Sequence, residues 1–538
     1  MSLPASAYDA FSATAARRPD LPFLIAPASA ALPYAPEGFR ISYGEAVAEI
    51  APLADAYAAQ GYGRGSRVAL LLENRPVFFF HWLALNRIGA SIVPINGDMR
   101  PEELAHQMSI ARPDLVVALP EHAALIDGGV PADVPRSAPG QPIPPARARR
   151  APAETRSHDD ESALLFTSGS TGKPKGCSLS NLYFANVADW YTSMGGEAAM
   201  ERDREIALTP LPFFHMNALG CNGVGMMTIG GAIVPLDRFS ARRWWDAVAD
   251  SGATVVHNLG VIPAILLQLP VSEAEKRHKA RFNFSPGVDA QHKIDFEARF
   301  KLPIVEAWAM TETGGTGVTD TAGRDYPAGE RCIGAAREGM EYRIVDDEGR
   351  DVPVGNPGEL LVRAAGPDPR WGFFSGYLGD PEATEAAWEG RYFHTGDVVR
   401  VDERGLFYFV DRKKSIIRRS GENISALEVE AALKADPTVQ AVAATPVPDP
   451  VRGEEVFAFV TLQGGGGDEA AAMALVERAA ERLSYHKLPG YVAFVEAMPL
   501  SSTQKLLRGQ LKTDAQAAVE AGRAIDLRDR KAGFRRAG

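Results

Sequence analysis

Cysteine is scarce in this chain: its 538 residues hold three, Cys177, Cys221 and Cys332, far apart and without histidines at zinc-ligand spacing. That excludes a disulfide framework and a structural zinc module, and it makes a reducing cytoplasm the expected compartment. Long apolar runs are missing as well. The stretch that comes nearest, 218–235, is interrupted by glycines and by Asn222, so no membrane span is expected. The first twenty residues lack a basic segment followed by an apolar one; they read as an amphipathic helix rather than a secretory signal. Positive charge is also in deficit, with 57 Lys and Arg against 68 Asp and Glu and a net charge of −11. Such a surface does not bind a phosphate backbone over its whole extent, and nucleic acid is not an expected partner.

What the chain does have is an ordinary globular composition, 46% apolar and 23% charged, over a length that predicts two or three structural units. Short apolar runs at 68–72, 90–95 and 114–119 alternate with helical patterns such as 44–60, the signature of βα units with buried parallel strands. Segment 134–155, rich in Pro, Arg and Ala, reads as an exposed connection. Alternating apolar positions at 341–363, split by turn signals, predict antiparallel strands. Beyond 411 the order helix, strand, strand, glycine loop, helix predicts a separate small α+β unit. The expected fold is therefore α/β: a large N-terminal domain, 1–411, of parallel-rich sheets with helices and a β-rich subdomain, then a small C-terminal domain, 412–515, and a basic tail, 516–538.

The most informative motif is LLFTSGSTGKPKG at 164–176. A buried-strand run leads into a loop whose glycines let backbone N–H groups turn toward a phosphate, while hydroxyls and Lys173 and Lys175 add donors and charge. It is not a Walker loop, in which Ser or Thr follows the lysine to hold magnesium, because Pro174 follows Lys173.

This stretch resembles the signature of the adenylate-forming superfamily of acyl-CoA synthetases, luciferases and peptide-synthetase adenylation domains. The resemblance continues in order through LPFFHMNA at 211–218, EAWAMTETG at 306–314, YFHTGDVV at 392–399, DRKKSIIRRSGENISALEVE at 411–430 and PLSSTQKLLRGQL at 499–511. It implies an ATP-dependent acid–CoA ligase: a carboxylate and ATP give acyl-adenylate and pyrophosphate, then coenzyme A gives acyl-CoA and AMP.

By resemblance, Lys505 bridges carboxylate and α-phosphate, Thr311 touches that phosphate, and Glu312 with the Thr167 hydroxyl holds magnesium. Ser168, Gly169, Ser170, Thr171, Gly172 and Lys175 grip the phosphates. Gly287, Val288, Ala307, Trp308, Ala309 and Met310 line the nucleotide, and Asp397 assisted by Arg412 holds the ribose. Lys414 occupies the hinge about which the small domain turns between half-reactions, and Ser420, Gly421 and Glu422 meet coenzyme A. His215 gates the acyl pocket, whose other expected members are Asn217, Asn222, His257, Asn258, Asp289 and Trp308.

The sequence departs from the family pattern in places. Trp308–Ala309 replaces Tyr–Gly, the segment resembling GAAP reads SPGVD at 285–289, Ser180 is followed by Asn181 rather than His, and TGK becomes TQK at 503–505. The acyl pocket expected from these residues is polar, which favours a short or functionalised acid over a long alkyl chain. The overall pattern is similar to the crotonobetaine/carnitine-CoA ligase branch, and a quaternary ammonium would there meet Asp289 and the Trp308 face. Three other readings stay open at this point: an aryl-acid CoA ligase, a stand-alone adenylation enzyme that loads a carrier protein, and a catalytically silent nucleotide-binding regulator. The expected partners are ATP, a carboxylic acid and coenzyme A, with a homodimer left open.

Overall fold

The computed structural model describes residues 3–167, 174–327, 329–419, 422–450, 452–483, 485–500, 506–531 and 534, with side chains left out at 414, 422 and 423. Two compact units result. The first is formed by Met1–Arg343, Leu361–Thr395 and Val401–Tyr408, the second by Ile344–Leu360, Gly396–Arg400 and Phe409–Gly538. The chain thus enters the second unit in three stretches, whereas a single boundary at 411 was expected. Periodicity along a sequence reports that a segment is a strand; it is silent on which distant strand completes its hydrogen bonds.

The first unit is built on two parallel-rich sheets. One has the strand order Gly376–Tyr377, Lys175–Ser180, Glu161–Thr167, Ser91–Pro94, Arg67–Leu71, Leu115–Ala118, Arg136–Ser137. Its centre realises the three predicted apolar runs: Val68 is in register with Ile92 on one side and Leu115 on the other, all three buried. Such unbroken apolar strands form because helices cover both faces. Helix Tyr43–Ala59, packed against helix Pro76–Arg87, starts on a capping box in which Ser42 and Glu45 satisfy each other's backbone N–H.

The other sheet has the order Ile304–Val305, Phe282–Phe284, Val255–His257, Ile206–Thr209, Ala232–Pro235, Pro22–Ala26, Phe39–Ser42, parallel except at the last pair. Three neighbouring strands end together, with His257 opposite Phe284 and Phe284 opposite Val305. Trp244 and Trp245 pack into the core beside this sheet, Trp245 lying 4.6 Å from Phe300 ring to ring. The glycine-interrupted stretch forms a π-helix, Asn217–Gly225, in which a Cβ on Gly220 would stand 2.6 Å from Val187 and one on Gly223 3.0 Å from Trp82. Glycine is needed there for close approach. Among the described residues no helix is long and apolar enough to cross a membrane.

The second unit has a sheet of order Glu422–Ser425, Ile416–Arg419, Gly453–Leu462, Tyr491–Phe494, Ile525–Asp526, with Val439–Asp449 also paired to Gly453–Leu462. Helices Ala426–Lys434 and Glu469–Ala479 pack on it. Residues 516–531 of the expected basic tail are instead part of this fold. Helix Arg508–Glu520 runs through 516–520, Ile525–Asp526 pairs with Tyr491–Phe494, and Lys531 is buried. The signal was present in Leu511, Ala515 and Ala518, which share one buried helical face, but dense charge around 523–531 masked it.

Candidate functional site

The expected phosphate loop, Ser168, Gly169, Ser170, Thr171 and Gly172, lies outside the described residues, as do Ser420, Gly421 and Lys505. What anchors the loop is described. Strands Glu161–Thr167 and Lys175–Ser180 pair antiparallel with Thr167 opposite Lys175, so both ends of the loop leave the sheet side by side. The Lys175 ammonium stands 3.3 Å from Asp380 Oδ2 and 4.8 Å above the Tyr377 ring.

Tyr377 links this corner to Glu312, because its hydroxyl donates to Glu312 Oε1 at 2.9 Å. Burial first, and then the Glu312 charge, push the Tyr377 hydroxyl far above its ordinary value, so it stays a donor. The same two causes raise the Cys177 thiol, whose sulfur lies 3.8 Å from Thr167 Oγ1. Thr311 and Glu312 are displayed by a tight turn in which Gly314 N–H donates to the Met310 carbonyl and Met310 N–H to Thr313 Oγ1. Among the described residues no group of three or more His, Cys, Asp or Glu could by itself hold a metal. The donors present, one buried carboxylate and one hydroxyl, are hard oxygens. Magnesium fits such a set when phosphates complete its shell.

A second cluster surrounds Gly287 and Val288. Their consecutive N–H groups donate to the two oxygens of Glu306, at 2.9 and 3.2 Å. Gly287 has φ +80°, and a Cβ on Gly260 would stand 2.0 Å from the Gly287 carbonyl oxygen, so both glycines are required for this approach. Burial pushes Glu306 up to about 7, against the opposing pull of those N–H groups and of Lys293. Immediately after Glu306, Ala307–Trp308 pairs with Thr319–Asp320 and leads through Ala309 to Met310. Asp289, expected in the acyl pocket, caps helix Ala290–Phe300, accepting from the N–H groups of Gln291 and His292.

His215 follows a loop held by Asn74, whose amide donates to the carbonyls of Leu211 and Leu236 and accepts from Phe213 N–H. The Phe214 ring stands 4.7 Å from that of His215. Asn217 opens the π-helix; Asn222 lies within it, and His257 and Asn258 lie at the carboxyl end of their strand.

Within the second unit, buried Asp397 takes the Arg412 Nε at 2.7 Å. Glu359 accepts from Lys413 Nζ at 2.7 Å and from Gly396 N–H at 3.3 Å. Asp411 accepts from Ser425 Oγ and Leu427 N–H, tying the end of one strand to the start of helix Ala426–Lys434. Lys414, the expected hinge, lies in the short turn Lys413–Ser415, and Glu422 opens strand Glu422–Ser425; the side chains of both are outside the described set.

Sequence reasoning missed Tyr377, Asn74 and Glu359, whose local patterns are unremarkable. Glu306 stood at the head of a quoted motif, yet its role as a double acceptor needs the fold.

The profile of the AMP-binding enzyme family matches residues 11–378, and that of the AMP-binding enzyme C-terminal domain matches 428–505. A crotonobetaine/carnitine–CoA ligase of Citrobacter koseri is 31% identical over 495 residues, which is 88% of this chain and 93% of that one. The enzyme of the same description from Salmonella typhimurium has the same identity and coverage. Among solved structures, ATP-bound MatB from Rhodopseudomonas palustris has TM-score 0.79 at 25% identity, over 95% of this chain and 99% of that one. The anthranilate CoA ligase AuaEII with anthranoyl-AMP has TM-score 0.81 at 21% identity, over 97% and 99%, a likeness of fold.

Proposed function

The chain belongs to the AMP-binding enzyme family, and from that premise we propose that it is an ATP-dependent acid–CoA ligase acting in the cytoplasm on a short or functionalised acid. In the first half-reaction a carboxylate oxygen attacks the α-phosphorus of ATP and pyrophosphate leaves; in the second the coenzyme A thiol attacks the acyl carbonyl and AMP leaves. The observation that carries this reading is the junction of Thr167, Lys175, Tyr377 and Glu312, which sets a cation, a hydroxyl and a carboxylate around the root of the phosphate loop. Glu312 and Thr167 would hold magnesium, which when bound neutralises phosphate charge. Lys175 and Lys505 add cationic charge where the pyrophosphate leaves and where the α-phosphate is attacked. Thr311 orients that phosphate, and Asp397 with Arg412 binds the ribose hydroxyls.

Incubation with ATP, coenzyme A and a panel of carboxylic acids is expected to release AMP and pyrophosphate in step with thioester. Release of ADP in their place would exclude the mechanism.

Glu306 has a positioning part in this scheme, because it holds the Gly287–Val288 backbone that lines the nucleotide. In Glu306→Gln one acceptor oxygen becomes an NH2 group, so one loop N–H loses its partner. With a charged acceptor contributing about 1.5–3 kcal/mol, KM for ATP should rise about ten-fold or more with a smaller change in kcat. In the wild type KM should also rise as pH falls through about 7, where Glu306 takes up a proton, and the variant should lose that dependence. A flat wild-type profile between pH 6 and 8 would remove Glu306 from this role.

A further inference from the structure

Several polar side chains of the first unit, Asn283 and Ser285 among them, are fully buried with hydrogen-bonding atoms that have no partner among the described residues, and three of these belong to the acyl pocket expected from the sequence. The three are Asn222 and Asn258, through both amide atoms, and His257, through Nε2. Two of them form one group. The Tyr191 hydroxyl lies 3.3 Å from His257 Nδ1, with the two rings stacked at 5.4 Å, and Asn222 stands beside that hydroxyl without a bond of ordinary geometry. Asn258 follows His257 directly, and its N–H donates to the Phe284 carbonyl.

The location is informative. His257 ends a parallel strand whose neighbours end beside it at Phe284 and Val305, and the Gly260 N–H donates to the Pro286 carbonyl just ahead of Gly287. In α/β sheets, ligands bind outside the carboxyl ends of the strands. Interior amides without partners cost free energy in the empty protein, and the cost is removed when a ligand completes their bonds.

The group is also uncharged. Burial drives His257 down to about 3, so its imidazole is neutral, and burial raises the Cys221 thiol and the Tyr191 hydroxyl far above their ordinary values. Asp289, the one carboxylate expected to meet a cationic acyl tail, is committed to capping Ala290–Phe300, with 53% of its side chain exposed. The cost of stripping water from a cationic tail would go unmatched by any carboxylate in this group.

We propose that Asn222, His257 and Asn258 read the acyl part of the substrate, and that the acid carries an uncharged hydrogen-bonding group, a hydroxyl or a carboxamide, beyond its carboxylate. The proposal rests on the ligase reading above and narrows its substrate class away from betaines. Sites of this kind discriminate strongly, because a substrate that lacks the polar group leaves them unpaired.

The test compares AMP release with coenzyme A for three short acids of matched length: one bearing a hydroxyl or carboxamide, its isostere with methyl in that place, and one bearing a trimethylammonium. The polar acid is expected to exceed both others in kcat/KM by at least about ten-fold. In Asn222→Leu, and independently in His257→Phe, the preference over the methyl isostere should shrink to within about three-fold. Equal or better turnover of the methyl or trimethylammonium acid by the wild type overturns the proposal and leaves the ligase reading standing. So does an unaltered preference in both variants. Absence of AMP with every acid overturns the ligase reading and this proposal together.

Discussion

Lys505→Ala is expected to lower acid-dependent exchange of pyrophosphate into ATP by about 10² to 10³-fold while ATP affinity stays within about ten-fold. The size follows from where charge develops. As the acid attacks, negative charge concentrates on the α-phosphate and the departing pyrophosphate, and a cation positioned there acts on the transition state more than on bound ATP. The other two cations expected at the nucleotide, Lys175 and Arg412, are already engaged. Lys175 already stands 3.3 Å from Asp380, and Arg412 holds Asp397 at 2.7 Å, so each has a carboxylate neighbour before substrate arrives. Exchange is the appropriate readout because it reports the first half-reaction without coenzyme A. An exchange rate within about three-fold of wild type would remove Lys505 from the chemistry.

The largest stability effect is expected at Glu455. Its carboxylate has no exposure and accepts from Arg419 Nε at 2.8 Å, Arg452 Nη1 at 2.9 Å and Lys531 Nζ at 2.7 Å. Arg419 is 2% exposed and Lys531 1%. Burial alone would raise the Glu455 carboxyl, and the Lys531 charge leads the contacts that instead hold it below its usual range. Glu455→Ala leaves two interior cations without their anion, a change that costs about 3–5 kcal/mol. Lys531→Met should cost far less, because it removes a charge whose burial is itself unfavourable.

The pH dependence has a definite sign. Burial lowers Lys531 to about 8, while an exposed lysine titrates near about 10.4. Between those values the unfolded chain binds more protons, so this group adds stability as pH rises through that window and adds no slope below it. Denaturant unfolding followed by circular dichroism checks both points. A loss below about 1 kcal/mol in Glu455→Ala would show that water or rearranged neighbours compensate the cations.

Much of this molecule is legible along the chain. The apolar runs at 68–72, 90–95 and 114–119 are the buried strands Arg67–Leu71, Ser91–Pro94 and Leu115–Ala118 because a parallel strand covered on both faces has to be apolar at every position. The small-residue loop at 167–176, with the motifs that follow it in order, carries the resemblance to the family whose profile matches 11–378. Family membership followed from such local signals.

Other features belong to the fold alone. Glu312 meets Tyr377 across 65 positions, Glu306 captures loop N–H groups 19 and 18 positions earlier, and Glu455 gathers partners 36 positions before and 76 after it. Asp289 looks the same on paper whether it caps a helix or faces a ligand; the backbone of Gln291 and His292 decides. Side-chain type and local period are properties of a few neighbouring residues, whereas a partner, a buried charge or an unpaired amide is defined only once remote segments have been brought into contact.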